Sequence, residues 1–137
     1  MMRSAVAIAA LGLVVSESSC QADSASQCVA AKLDASLQII GLMEADRLDL
    51  KKPRLVTQLF MGPERQFAVL GKRLTENGWP AAPDGPGRLL ASAAVVVDRL
   101  WVRRNVELMC RIAADNGVEW DGWDVDVRAD RPHSKEI

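Results

Sequence analysis

The stretch that decides the fold runs Asp115-Asn-Gly-Val-Glu-Trp-Asp-Gly-Trp-Asp-Val-Asp-Val127. Asn116-Gly117 is a helix-ending signal, because glycine accepts the left-handed conformation that closes a C-terminus. The residues after it alternate as a strand does, but their parity changes. Val118 and Trp120 share one face, whereas Trp123, Val125 and Val127 fall on the other. One extra residue at Asp121-Gly122, a β-bulge, restores all five to the core side. The rival is a tight Asp-Gly hairpin with Trp120 opposite Trp123. The bulge is preferred, because the arms of that hairpin would be very short.

Upstream the pattern repeats. Glu76-Asn77-Gly78-Trp79 ends one helix as Asp115-Asn116-Gly117-Val118 ends the other. Asp98 is placed to cap the later helix, whose apolar stripe is Val102, Val106, Met109, Cys110 and Ala113. Before it, Leu89 to Val97 (LLASAAVVV) is a strand-length apolar run suited to a central strand, or to one covered on both faces. Pro83-Asp-Gly-Pro-Gly87 is a turn by composition, and Trp79 to Ala82 a weak strand that Pro80 confines to an edge. Pro63 suits the first turn of a helix carrying Phe67, Leu70 and Leu74 on one face. Arg54 to Met61 (RLVTQLFM) reads as a strand. Ahead of it, Asp46 to Pro53 is a connection. A first helix begins at caps among Ser24 to Gln27, carries Val29, Leu33, Leu37 and Ile40, and ends near Met43 to Ala45. Strand-helix-strand therefore occurs twice. The expected class is α+β: a ferredoxin-like βαββαβ sandwich preceded by an N-terminal helix, over residues 24–127.

At 137 residues the chain holds one ordinary domain. A net charge of −1 argues against a simple basic glove for nucleic acid. The charge is unevenly placed: Arg99, Arg103, Arg104 and Arg111 crowd one stretch, and Asp115, Glu119, Asp121, Asp124 and Asp126 come after it. No Cys/His grouping has zinc-ligand spacing and His133 stands in a polar tail, residues 128–137, so no metal and no cofactor is expected. The cysteines leave the compartment open. Cys20 and Cys28 can pair only in an exported, uncleaved segment, while Cys110 reads as a small core residue. Within residues 1–23, Arg3 precedes an apolar run from Ala5 to Val15 that has signal-peptide length and is too short to span a bilayer. Small residues at Cys20 and Ala22 suit cleavage before Asp23. Glu17 stands where a lipoprotein signal would carry leucine. Three readings stay open: an export signal, giving a periplasmic or secreted domain, a disordered extension on a cytoplasmic one, or a start codon placed too far upstream.

Val118-Glu119-Trp120-Asp121-Gly122-Trp123 resembles the RraB-like family, the protein inhibitors of ribonuclease E, whose members carry a glutamate-aromatic-aspartate-glycine-tryptophan run just after a helix. Leu37-Gln38-Ile39-Ile40, and Lys52-Pro53-Arg54 leading to Leu59-Phe60, sit in the order that the family pattern requires. The resemblance covers Leu33 to Val127. It implies a ferredoxin-like fold and a cytoplasmic protein that restrains a ribonuclease by binding it, and it brings no catalytic residues. The chain differs from the family in its mixed-charge tail, Arg128 to Ile137, and in its signal-like start.

Glu119, Asp121, Asp124 and Asp126 are the densest polar group. Their ordinary role is to keep an edge strand from aggregating. Their functional role, together with Trp123, is an acidic strip for an Arg/Lys-rich protein partner, an endoribonuclease under the resemblance. Trp120 and Trp123 are core anchors first, and binding residues if exposed beside that strip. Arg99, Arg103, Arg104 and Arg111 offer a second class of function, gripping phosphates in a small RNA-binding domain. Direct nucleic-acid binding is disfavoured, because Leu89 to Val97 carries no aromatic for base stacking and the glycine-aromatic RNA-recognition signature is missing. A third class, an exported interaction or immunity-like domain, rests on the N-terminal run. An enzyme is not expected: there is no phosphate-cradling glycine loop, no nucleophile elbow and no histidine inside the domain.

Overall fold

The computed structural model describes residues 2–128, with side chains from Ser24 onward. The polar tail after Arg128 and the side chains around the cleavage site before Asp23 lie outside them. Among the described residues the chain is α+β, with three α-helices and a four-stranded antiparallel sheet.

Helix α1 covers Met2–Ala45. Its end falls where the sequence placed it. Its start does not: the helix passes through Ser24–Gln27, which therefore cap nothing. No proline interrupts this span, and the alanines on both sides of the serines propagate a helix once it has formed. Strand β1 is Arg54–Met61, and its even-numbered residues are buried while the odd ones are open or half-open. A short 3-10 turn, Glu64–Gln66, leads into α2, Phe67–Glu76, which buries Phe67, Leu70 and Leu74. Strands β2 (Ala81–Pro83) and β3 (Arg88–Val95), helix α3 (Arg99–Asp115) and strand β4 (Glu119–Val125) complete the order. The Asp98 carboxylate accepts from the Trp101 N–H at 2.8 Å, so α3 is capped as expected.

The sheet order is β2-β3-β1-β4, with every neighbouring pair antiparallel. The pairing of β1 with β4 contains the bulge. Phe60 stands opposite Trp120 and Leu59 opposite Gly122, so Asp121 is the extra residue. Gly122 adopts φ 131°, and Trp120 and Trp123 both face the helices, 1% and 8% exposed. The hairpin alternative is excluded by this register.

The two similar helix endings are alike atom for atom. After α2, Trp79 N–H donates to Leu74 O at 2.8 Å and Gly78 N–H to Thr75 O at 3.0 Å. After α3, Val118 N–H donates to Ala113 O at 3.1 Å and Gly117 N–H to Ala114 O at 3.4 Å. These are twin Schellman motifs, with Gly78 and Gly117 in positive φ. In each, the asparagine before the glycine donates its side-chain amide to a carbonyl four residues back, Arg73 or Ile112, at 2.8 Å.

One core fills the layer between sheet and helices. Val56, Phe60, Leu70, Leu74, Val102, Val106, Met109, Ile112 and Trp120 are all at most 1% exposed. A polar knot sits inside it: Gln58 donates to Asn105 Oδ1 at 2.6 Å, and Trp120 Nε1 donates to Gln58 Oε1 at 3.0 Å. Helix α1 lies against α3 and β4. Ile40 and Met43 are buried in the core with Val29, Leu33, Leu37 and Ile39 packed against it, and Cys28 is joined to Cys110 of α3 by a disulfide with Cα atoms 5.6 Å apart. Cys110 is the small core residue expected, 1% exposed, but it is also bonded, and the partner of Cys28 is Cys110 rather than Cys20. Two helices that cross with their cysteines face to face bring the sulfurs within bonding reach.

Candidate functional site

Among the described residues the helices cover one side of the sheet and leave the other open. On β1 the open side carries Leu55, Thr57, Leu59 and Met61, with Leu55 49% and Met61 40% exposed. Their register partners on β3 are Ala94, Ser92, Leu90 and Arg88. The Thr57 and Ser92 hydroxyls meet at 3.1 Å in the middle of this surface. On β4, Asp124 stands opposite Thr57, Gly122 opposite Leu59 and Glu119 opposite Met61. The face is therefore an aliphatic strip with a row of carboxylates along its β4 margin. A solvated antiparallel face is ordinarily polar, and here Leu59, Leu90 and Met61 adjoin on one side of the Thr57–Ser92 pair while Leu55 stands on the other.

A groove of about 510 Å3 runs where α1 overhangs this margin. Thr57, Leu59 and Leu90 line it from the sheet, Ala31, Ala35 and Ile39 from α1, and Asp121 and Asp124 carry its carboxylates. Lys32 also lines it, with its ammonium donating to the Asp121 carbonyl at 3.1 Å. Both sheet edges are guarded. Strand β2 is three residues long and ends in Pro83, and α1 packs beside β4. Neither edge therefore offers a long free strand for pairing.

The structure gathers most of the acidic strip and separates its members by role. Glu119, Asp121 and Asp124 are exposed on the open side. Asp126, just past β4, is held in a fork by Arg128, through Nε at 3.1 Å and Nη2 at 2.9 Å. That hydrogen bond, and the charge of Asp126 behind it, raise the Arg128 guanidinium above its ordinary pKa. Trp123 is buried, and its indole N–H donates to the Ser36 hydroxyl at 2.9 Å. Its rings lie edge-on to Trp101, centroids 5.3 Å apart, and Trp101 in turn contacts Trp79 at 6.4 Å.

The arginines of α3 do not form one site. Arg99 is gripped by Glu44 of α1, its Nε 3.1 Å from Oε2, and that hydrogen bond first and the charge second raise its pKa. Arg103, Arg104 and Arg111 are exposed, with Arg111 beside Glu107 in a separate recess against Ala25, Ser26 and Val29. Among the described residues no three metal-ligating side chains come together, and no helix is long and apolar enough to cross a membrane.

Val29, Leu33, Leu37 and Ile40 of α1 pack against the core as the sequence indicated, and what sequence reasoning missed is the Cys28, Lys32 and Ser36 side of that helix. The spacing Cys28, Lys32, Ser36, Ile40 was its available signal: one helical face that is neither wholly apolar nor wholly solvated, as a seam against other elements requires. No family model matches the chain, and no curated protein matches it. The class of protein is thus set by fold and surface alone: an α+β domain with an open, aliphatic, acid-rimmed sheet face.

Proposed function

We propose that this chain is a protein-binding regulator that acts by surface association through the open sheet face and its acidic β4 margin. The observation that carries the reading is the row Leu55, Leu59, Met61 beside Asp124 and Glu119. Apolar area supplies affinity, and the carboxylates select a cationic partner. The sheet order β2-β3-β1-β4, built from two strand-helix-strand units, supports a ferredoxin-like sandwich with α1 added in front.

The likeness of Glu119-Trp120-Asp121-Gly122-Trp123 to the RraB-like family extends the proposal to a ribonuclease E-type endoribonuclease as the partner. Supporting it, the motif comes directly after α3, and its Asp121 bulge, followed by Gly122 at positive φ, seats both tryptophans. A second reading, an exported interaction or immunity-like domain, is favoured by the Cys28–Cys110 disulfide, since such bonds persist in oxidising compartments. An RNA-binding domain has less support: the open positions of β1 and β3 carry no aromatic side chain, and Arg99 is engaged by Glu44.

The test is titration of a purified ribonuclease E-type endoribonuclease with the full chain and with Asp124→Lys. Binding that weakens by about tenfold in the variant, with circular dichroism unchanged, supports the surface. Equal affinity of the two proteins removes Asp124 from the site. If the unmodified chain does not bind, the ribonuclease reading fails. Mass spectrometry of the chain from its host, reading its mature N-terminus and cysteine state, then decides the exported reading.

A further inference from the structure

We infer that the groove between α1 and the open face seats a short segment of a partner protein, one that carries an aliphatic anchor with arginine or lysine beside it. The inference rests on the surface-association reading above and names the chemistry of what that surface takes.

The floor of the groove is aliphatic, from Leu59 and Leu90, both half-buried. Its outer wall is made of small residues, because Ala31 and Ala35 of α1 are exposed and carry nothing beyond Cβ. Between wall and floor the bulge places Gly122, and no heavy atom lies within 4 Å of where its Cβ would be. The site where β4 would otherwise project a side chain is thus an open notch. A cleft of about 510 Å3 lies in the size range of ligand pockets, large enough for more than one side chain.

Charge decides what accompanies the anchor. Asp121 and Asp124 line the groove and Glu119 continues their row, all exposed, against the cation of Lys32. The Lys32 ammonium is directed at the Asp121 carbonyl at 3.1 Å, and the Asp124 carboxylate accepts one local N–H, from Val125. The margin is net negative. It disfavours nucleic acid and anionic lipid and favours a guanidinium or ammonium, which such carboxylates accept with charge-assisted hydrogen bonds. With both sheet edges guarded, the segment is held by side-chain contacts on the face.

The experiment uses the full disulfide-bonded chain and a fluorescein-labelled nonapeptide bearing two leucines flanked by arginines. Two control peptides carry glutamate in place of arginine, or serine in place of leucine. Fluorescence anisotropy should show saturable binding of the leucine-arginine peptide, weakening with salt, and at least about tenfold weaker binding of each control. Asp124→Lys should cost a similar factor. Ala35→Trp, which fills the groove from its exposed wall, should do the same, and Ala31→Tyr on the same wall guards against a local folding defect. No binding, equal binding of the three peptides, or binding that ignores both wall variants overturns the proposal. The whole partner separates the two levels of the reading. Partner binding lost in Asp124→Lys but kept in both wall variants overturns the groove and leaves the face. Partner binding indifferent to all three variants overturns both.

Discussion

Trp123 and Ser36, 87 residues apart in sequence, are joined by an indole N–H donating to a hydroxyl at 2.9 Å inside the protein. This bond fixes the side chain that β4 inserts beneath α1, and with it the position of the groove wall. Ser36 is 4% exposed, so its removal leaves a buried donor without a partner. Ser36→Ala should lower unfolding free energy by about 1–3 kcal/mol, read from the urea midpoint at constant slope. An unchanged midpoint would show that the indole N–H finds water instead.

Gly122 should resist every substitution through its backbone alone. Its φ of 131° is a region that L side chains rarely adopt, yet an added Cβ would meet nothing within 4 Å. Gly122→Ala should therefore destabilise by about 1–3 kcal/mol, and Gly122→Val by more, because β-branching is harder to place at positive φ. If alanine were neutral, the strain argument would fail and the glycine would matter only for the notch it leaves.

How much of this was legible depended on range. The elements from β1 to β4, their twin endings at Asn77-Gly78 and Asn116-Gly117, and the bulge at Asp121 could be read because each is a local matter of period, cap or parity. The acidic margin was visible for the same reason. What escaped lies between elements. Gln58 in a strand and Asn105 in an apolar helical stripe are each tolerable singly, and nothing local says that they face each other. Cys28 and Cys110 are 82 positions apart, and their meeting depends on how α1 crosses α3. The aliphatic character of the open face was likewise hidden, since Leu55, Leu59 and Met61 look like core until the helices are seen on the other side.

The polar knot of Gln58, Asn105 and Trp120 offers a sharper measurement than any single deletion. Gln58 bridges the other two, accepting from Trp120 at 3.0 Å while donating to Asn105 at 2.6 Å. Gln58→Leu should leave both partners unsatisfied and cost about 2–4 kcal/mol, whereas Gln58→Leu combined with Asn105→Leu should recover part of that loss. A double-mutant cycle by urea denaturation should return a coupling energy of about 0.5–3 kcal/mol. Additive effects would mean that the two amides are not paired in solution.

The disulfide gives the last prediction, and it bears on where the protein works. Cys28 and Cys110 close a loop with a sequence separation of 82, tying α1 to α3 beside the groove wall. Cys28→Ser, or reduction, should lower stability by about 2–5 kcal/mol and should loosen α1 first at its Cys28 side. Ile40 and Met43 stay buried near the far end, where Arg99 also grips Glu44, so that end of the helix remains docked. Limited trypsin digestion should then cut after Lys32 faster in the reduced chain, with cleavage at Arg103 and Arg104 of α3 little changed. If reduction leaves both stability and cleavage untouched, the bond is incidental to the fold. If it releases α1, the groove exists only in the oxidised chain. A partner that uses the groove must then share its oxidising compartment, which favours the exported reading over a cytoplasmic ribonuclease.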